Sequence, residues 1–138
     1  MRHSVAWDAS PDIFNHHLES PPGLLLDPQF VEGVRSLGAQ QLCFDVWASH
    51  SQLSEVAELA RRTPGTTIVL DHLGAPLGVG PYTGRREEVL AHCRTELCAF
   101  AALPNARLKF GGIGMTTYGN GWHKQPQPPS SNDIVALG

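Results

Sequence analysis

The sequence predicts an α/β fold with about four parallel strands and intervening helices. Three observations support this prediction. Strand-like and helical patterns alternate along the 138 residues, which is the order that gives a parallel sheet with right-handed crossovers. Two of the strand-like runs are almost continuously apolar, as expected of parallel strands covered on both faces. The connections that lead into strands are short, whereas those that leave strands are long.

Four runs of strand-forming and apolar residues mark the predicted strands. They are "RHSVAWD" (2–8), "QLCFDVWA" (41–48), "TTIVLDHL" (66–73) and "ARLKFGG" (106–112). The second and third runs are the two nearly continuous apolar ones, so we expect both of their faces to be covered.

Three helices are predicted between these strands. The first has Asp27 as its N-cap, Pro28 at its first position and Gly38 just beyond its end. The second lies within 51–65 and the third within 84–105, and each of these segments contains the proline that stops its helix.

Long connections follow the strands at 9–26, 74–84 and 112–132. Long loops at the strand ends are typical of a (β/α)₈ TIM barrel, whose active site lies at the carboxyl ends of the strands. A complete barrel needs roughly 250 residues. We therefore interpret residues 1–138 as a single domain, a partial barrel truncated at both ends. The alternative is a small four-stranded sheet that is complete in itself.

Composition and charge narrow the expected partners. A net charge of −3 and a pI near 6.1 give no reason to expect nucleic acid or an anionic membrane. No apolar run approaches the ~20 residues of a membrane span. Three cysteines without a CxxC pair are interpreted as reduced thiols, which favours the cytoplasm. Nucleotide-binding, lipase-like and zincin motifs do not occur.

Three segments of the chain resemble the amidohydrolase-related family of predicted metal-dependent hydrolases. They are the first run, the stretch from "FDVW" to "GRREEV", and "NARLKFGGIGM". The combination of "LDHLG-P" with "N-x-x-x-K-x-G-G" is its most specific feature. The family consists of TIM barrels and includes lactonases that act on fuconolactone, rhamnonolactone and pyrone dicarboxylate. The resemblance covers nearly the whole chain and implies that its four strands are the third to the sixth of a barrel.

The resemblance also implies a function for the complete protein, the addition of water to a lactone or a related ester or amide carbonyl. The expected partner is a small molecule, a lactone or a carboxylate-bearing ring. The family has a His-x-His pair after its first strand and an Asp after its eighth, and this sequence has neither element. We therefore expect this chain alone to be inactive, and the alternative function is a non-catalytic α/β binding or interaction domain.

His72 is the predicted catalytic residue. It lies where the apolar run 66–71 ends in a Gly/Pro turn, and a neutral imidazole there could polarise a carbonyl or bind a divalent metal. The alternative is a histidine that only hydrogen-bonds a loop. Zinc or manganese is the metal expected if the complete protein binds one, with His72 as a ligand. We expect no tightly bound metal in this chain alone, because tight zinc sites need three or four protein ligands.

Four further residues are predicted to bind substrate. By the resemblance, Arg2 and His3 lie in the pocket, where the guanidinium suits a carboxylate or lactone oxygen. Asp45 is an acid among apolar neighbours and needs a partner or a pocket. Lys109 interrupts a strand and could point inward or toward solvent. Asp71 should alternate to the face opposite His72, where we expect it to hydrogen-bond backbone or loop groups.

Four of the remaining histidines, His16, His17, His92 and His123, are expected outside the site, whereas His50 is a somewhat better candidate because of its position. His16, His17 and His123 lie in loops, His92 on the polar flank of a helix, and His50 near a strand end. A four-stranded barrel segment also has open edges, and we expect it to self-associate through them. In this expectation the inward faces of Val46 and Ile68 are partly uncovered.

Overall fold

The computed structural model describes residues 1–13 and 20–135. His16 and His17 lie outside the described residues. Four strands form one sheet: β1 (Arg2–Ser4), β2 (Phe44–Trp47), β3 (Ile68–Leu70) and β4 (Ala106–Leu108). Their order in the sheet is β1-β2-β3-β4, and every neighbouring pair is parallel. The predicted α/β class and the predicted strand order are therefore confirmed.

The described residues form four α-helices: α1 (Pro28–Ala39), α2 (Leu53–Arg62), α3 (Arg86–Ala101) and α4 (Ser131–Val135). Asp27 caps α1 as predicted, because its carboxylate accepts hydrogen bonds from the backbone of the first turn. No helix among the described residues is long and apolar enough to cross a membrane.

The prediction that Gly38 lies beyond the end of α1 is wrong. The helix continues through Gly38, and a Cβ at that position would lie 2.3 Å from Oγ1 of Thr66. The Thr66 hydroxyl donates a hydrogen bond to the Val34 carbonyl at 2.9 Å. The glycine thus permits close packing of α1 on the segment that leads into β3, and the sequence pattern does not distinguish this use from a helix stop.

The apolar core lies between the sheet and the helices. Phe44, Val46, Ile68 and Leu70 point to the helix side and are 0–2% exposed. They belong to one cluster with buried residues of α1, α2 and α3. The expectation that Val46 and Ile68 face an uncovered interior is therefore wrong. Because side chains alternate along a strand, the opposite face of the sheet carries Asp45 instead.

The two edge strands indicate that the chain self-associates in solution. Among the described residues β1 and β4 each pair with one strand, so each has a row of backbone groups without a ladder partner. Leu108, the last residue of β4, is 44% exposed, and Phe110, two residues further on, is 81% exposed. The 138-residue chain on its own is expected to self-associate, which light scattering over a concentration series would detect.

A matched pair of variants tests whether β4 is the contact. Leu108→Lys should reduce self-association, since a charge on an edge strand opposes pairing. Leu42→Lys changes a side chain of similar exposure, 48%, that lies outside the strands and should have little effect. A monodisperse monomer at all concentrations would show that these edges do not associate.

Candidate active site

Four charged side chains converge on the sheet face that the helices leave open, and we call them the ion-pair cluster. The cluster consists of Arg2, Asp45, Asp71 and Lys109. In the Arg2 guanidinium, Nη2 lies 3.2 Å from Oδ2 of Asp45, and Nε lies 3.1 Å from Oδ2 of Asp71. The Nζ atom of Lys109 lies 2.7 Å from Oδ2 of Asp45 and 2.8 Å from Oδ1 of Asp71. Each acid therefore contacts both bases, and the cluster links groups from all four strands or their ends.

Strand register explains why these four residues meet. Arg2 is opposite Asp45 in the pairing of β1 with β2. Leu70 is opposite Leu108 in the pairing of β3 with β4, so the residues that follow them, Asp71 and Lys109, come side by side. The Lys109 backbone N–H donates to the Leu70 carbonyl at 2.9 Å, which extends the ladder to the cluster.

Asn105 fixes the start of β4 and thereby the register of Lys109. The nitrogen of its side-chain amide lies 3.0, 3.1 and 2.9 Å from the carbonyl oxygens of Ala60, Thr63 and Thr66, which share its two N–H donors. The "N-x-x-x-K" spacing thus joins a residue that anchors the strand to a residue that reaches the site.

Contacts within the cluster favour the charged forms of Asp45 and Lys109. The hydrogen bond from Lys109, followed by that from Arg2, lowers the pKa of Asp45 below its usual range. Hydrogen bonds to the two carboxylates raise the pKa of Lys109. The Asp71 side chain is 1% exposed, whereas the Arg2 side chain is 60% exposed. The acids thus form the buried layer, and Arg2 keeps N–H groups that face the open side.

Asp71 differs from its sequence expectation. It was expected to bond backbone or loop groups, and its carboxylate instead lies in the ion-pair cluster. The expectation that Asp71 and His72 face opposite sides of a strand does not hold, because β3 ends at Leu70 and His72 has a φ of 53°. Strict alternation of side chains does not hold across a left-handed residue.

His72 lies directly after the buried acid of the cluster. Its half-buried ring meets the Trp47 ring edge to face, with centroids 6.5 Å apart. Trp47 is two residues beyond Asp45 on β2 and points to the same open face. The Nδ1 atom of His72 is buried and has no hydrogen-bond partner among the described residues.

The structure does not bring His3 to the cluster. His3 pairs with Val46 in the register of β1 with β2, on the helix side of the sheet. Its ring lies 6.1 Å from the Phe30 ring of α1. Because alternate residues of a strand face opposite sides, Arg2 and His3 cannot both point to the open face.

The described residues do not suit a divalent metal by themselves. They contain no group of three or more His, Cys, Asp or Glu side chains that could hold one. Asp45 and Asp71 are already neutralised by two cationic side chains, which leaves His72 as the available donor. A tight zinc site needs three or four ligands, and the described residues do not supply them.

His50 belongs to a second, structural cluster. It is 4% exposed. Its Nδ1 accepts a hydrogen bond from the Leu77 backbone N–H at 3.4 Å. Its ring packs edge to face on the Tyr82 ring, with centroids 4.6 Å apart. Tyr82 donates to Asp8 at 2.7 Å. These contacts join the connections that follow β1, β2 and β3. Burial, with a smaller contribution from His92, lowers the pKa of His50 to about 4.

The His50 pKa predicts a pH-dependent stability. Since the folded-state pKa lies below the usual 6.5, the unfolded chain binds more protons between these values, and stability is lost as the pH falls through this window. We expect the free energy of unfolding to fall by about 2 kcal/mol from pH 7.5 to 5. His50→Asn keeps an acceptor for Leu77 and should flatten this slope in urea titrations.

The exposed His123 provides the control for this pH series. His123→Asn should leave the slope unchanged, because this side chain is already exposed to solvent in the folded chain. An identical slope in the His50→Asn variant would show that His50 does not cause the pH dependence.

Comparison with known proteins identifies the family of the chain. Residues 11–135 match the amidohydrolase family. The L-fucono-1,5-lactonase of Burkholderia multivorans is 31% identical over 103 residues, which are 72% of this chain and 34% of the lactonase. An uncharacterized protein of Sinorhizobium fredii is 26% identical over 83% of this chain and 36% of its own length. The chain therefore spans about a third of the length of these relatives.

Solved structures agree with the fold. A Burkholderia multivorans amidohydrolase crystallised with HEPES has a TM-score of 0.67 and 27% identity, over 83% of this chain and 37% of its own. A zinc-bound crystal form has a TM-score of 0.66 and 26% identity over the same shares. These matches confirm the predicted fold class, part of an amidohydrolase TIM barrel. The chain belongs to the amidohydrolase family.

Proposed function

We propose that this chain supplies part of the active site of a hydrolase that adds water to a lactone or a related ester or amide carbonyl. One observation is central to this proposal. The ion-pair cluster and His72 lie together at the carboxyl ends of parallel strands, where TIM-barrel enzymes have their active sites. The 31% identity to L-fucono-1,5-lactonase supports a lactone as the substrate.

Arg2 and Lys109 are the proposed substrate-binding groups. The Arg2 side chain is 60% exposed and that of Lys109 is 35% exposed, so both can donate hydrogen bonds to an incoming oxygen. A carboxylate or a carbonyl oxygen that becomes negative during attack would be stabilised there. Asp45 and Asp71 hold the two bases in place, which limits the reorganisation that substrate binding requires.

His72 is the proposed general acid and base. In lactone hydrolysis water attacks the carbonyl carbon, the ring C–O bond breaks, and the former ring oxygen leaves as a hydroxyl. An imidazole can take a proton from the water and return one to the leaving oxygen. Among the described residues the Nδ1 atom of His72 has no hydrogen-bond partner, and the side chain is only half-buried, so the imidazole is not committed to a structural hydrogen bond through Nδ1.

A complete barrel contains groups that this chain does not supply. The relatives are about three times as long as the region they share with it. The sequence has no His-x-His pair, and any divalent metal would need ligands beyond the described residues. We therefore expect the chain alone to bind a lactone or its hydroxy-acid product without turnover, which is also the behaviour of the alternative, a non-catalytic binding domain.

A chimera distinguishes the two functions. The matching third of L-fucono-1,5-lactonase would be replaced by this chain, and hydrolysis of L-fucono-1,5-lactone would be followed by acid release. A catalytic segment should restore turnover, whereas a binding domain should give a folded but inactive barrel. The unmodified lactonase is the positive control. Hydrolysis by the 138-residue chain alone would overturn the expectation that it needs further strands.

A further inference from the structure

The turn that carries His72 has an unusual backbone. His72, Leu73, Gly74 and Ala75 have φ values of 53°, 57°, 73° and 42°. Left-handed conformations are unfavourable for residues with a Cβ, and three of these four residues have one. Such a turn persists only where surrounding groups hold it.

Tyr118 is one of the groups that hold the turn. Its hydroxyl donates a hydrogen bond to the His72 carbonyl oxygen, which also accepts from the Ala75 backbone at 3.0 Å. Tyr118 lies in the connection that follows β4 and is 7% exposed. Burial raises the pKa of its hydroxyl, so the group stays protonated and remains a donor.

Gly112 is the second of these groups. A Cβ at Gly112 would lie 2.6 Å from both Cγ and Nδ1 of His72. The Gly112 backbone therefore lies against the imidazole, and Trp47 meets the same ring edge to face. The ring position consequently depends on a residue without a side chain.

The connections after β3 and β4 also pack backbone against backbone. The Gly78 N–H donates to the Thr117 carbonyl at 2.9 Å. A Cβ at Gly78 would lie 2.3 Å from the Tyr118 carbonyl oxygen, and one at Gly119 would lie 2.2 Å from that of Gly78. This close packing leaves the segment that carries Tyr118 little freedom to move relative to the His72 turn.

We propose that Tyr118 and Gly112 are positioning residues for His72, acting from the connection after β4 on the turn after β3. Tyr118 fixes the backbone of that turn through the His72 carbonyl, and Gly112 sets the position of the ring. The importance of this positioning for catalysis rests on the proposed function of His72. The positioning itself can be measured without any turnover.

The test uses Tyr118→Phe in the 138-residue chain, which keeps the ring and removes the donor. Long-range proton–nitrogen NMR spectra report the tautomer and titration of each imidazole, and loss of one signal set in His72→Gln assigns His72. In Tyr118→Phe we expect the His72 signals to shift and the Ala75 amide to exchange about tenfold faster. Tyr82→Phe removes a hydroxyl that bonds Asp8 instead and should leave His72 unchanged.

Gly112→Ala is a second variant, which perturbs His72 by contact with the ring and not by loss of the Tyr118 hydroxyl. Its new methyl group should displace the imidazole, and the positive φ of 71° at this position adds backbone strain, so the His72 signals should move although no hydrogen-bond donor is removed. If Gly112→Ala does not fold, Tyr118→Phe decides the question. Unchanged His72 signals and unchanged Ala75 exchange in a folded Tyr118→Phe chain would overturn the proposal. Shifted signals together with full turnover by the same variants in the lactonase chimera would retain the positioning and show that turnover does not depend on it.

Discussion

Replacement of His72 by glutamine is expected to lower kcat for lactone hydrolysis by about 10²–10⁴-fold in the lactonase chimera, the range usual for a general acid or base. Glutamine has a similar size and can still form hydrogen bonds. It cannot take up and release a proton near neutral pH, so the chemical step should lose more than substrate binding. We therefore expect KM to change much less than kcat, as measured from initial rates over a range of lactone concentrations.

His123→Gln is the matched control for this experiment. His123 is exposed on the turn Trp122–Lys124 in the same chain, and its replacement should leave both kinetic constants unchanged. Equal turnover in the two variants would show that His72 has no proton-transfer function. A rise in KM with an unchanged kcat would indicate that His72 only binds substrate.

Much of the fold could be predicted because its signals are local. The N-cap at Asp27 and the alternation of strand-like with helical patterns are properties of neighbouring residues. The strand lengths were overestimated: the run 66–73 contributes only Ile68–Leu70 to the sheet. A strand ends where its partner ends and where the backbone turns, and at His72 a positive φ turns it. The carbonyl of His72 accepts a hydrogen bond from Tyr118, which lies 46 residues away in the sequence, so no local pattern indicates this contact.

The site could be predicted as separate residues but not as a cluster. Arg2, Asp45 and Lys109 each stood out as charges in strand-like runs. Their contact depends on register between distant strands, since Arg2 and Asp45 are 43 residues apart and Asp45 and Lys109 are 64 residues apart. The opposite orientation of His3 was available from the alternation of strand side chains. The burial of His50 depends on Tyr82 and Leu77 in another connection, so no local pattern indicates it.

Asp71→Asn is expected to lower the free energy of unfolding by about 2–3 kcal/mol, somewhat less than the loss typical of a fully buried ion pair. Asparagine has nearly the same shape, so the change removes charge and little else. The Asp71 side chain is 1% exposed and lies 3.1 Å from Arg2 and 2.8 Å from Lys109. Without it the two bases would share Asp45 and repel each other. Their own partial exposure to solvent limits the loss.

Two variants separate this effect from a general sensitivity to lost carboxylates. Glu32→Gln removes an acid that is 67% exposed and pairs with the exposed Arg35, and pairs of this kind contribute little to stability. In Asp71→Asn combined with Lys109→Met, one base is removed together with the acid, so part of the lost stability should return. Urea unfolding midpoints of the four chains give the comparison. If Asp71→Asn cost no more than Glu32→Gln, the cluster would be held by strand register alone, and its charges would be free to respond to substrate.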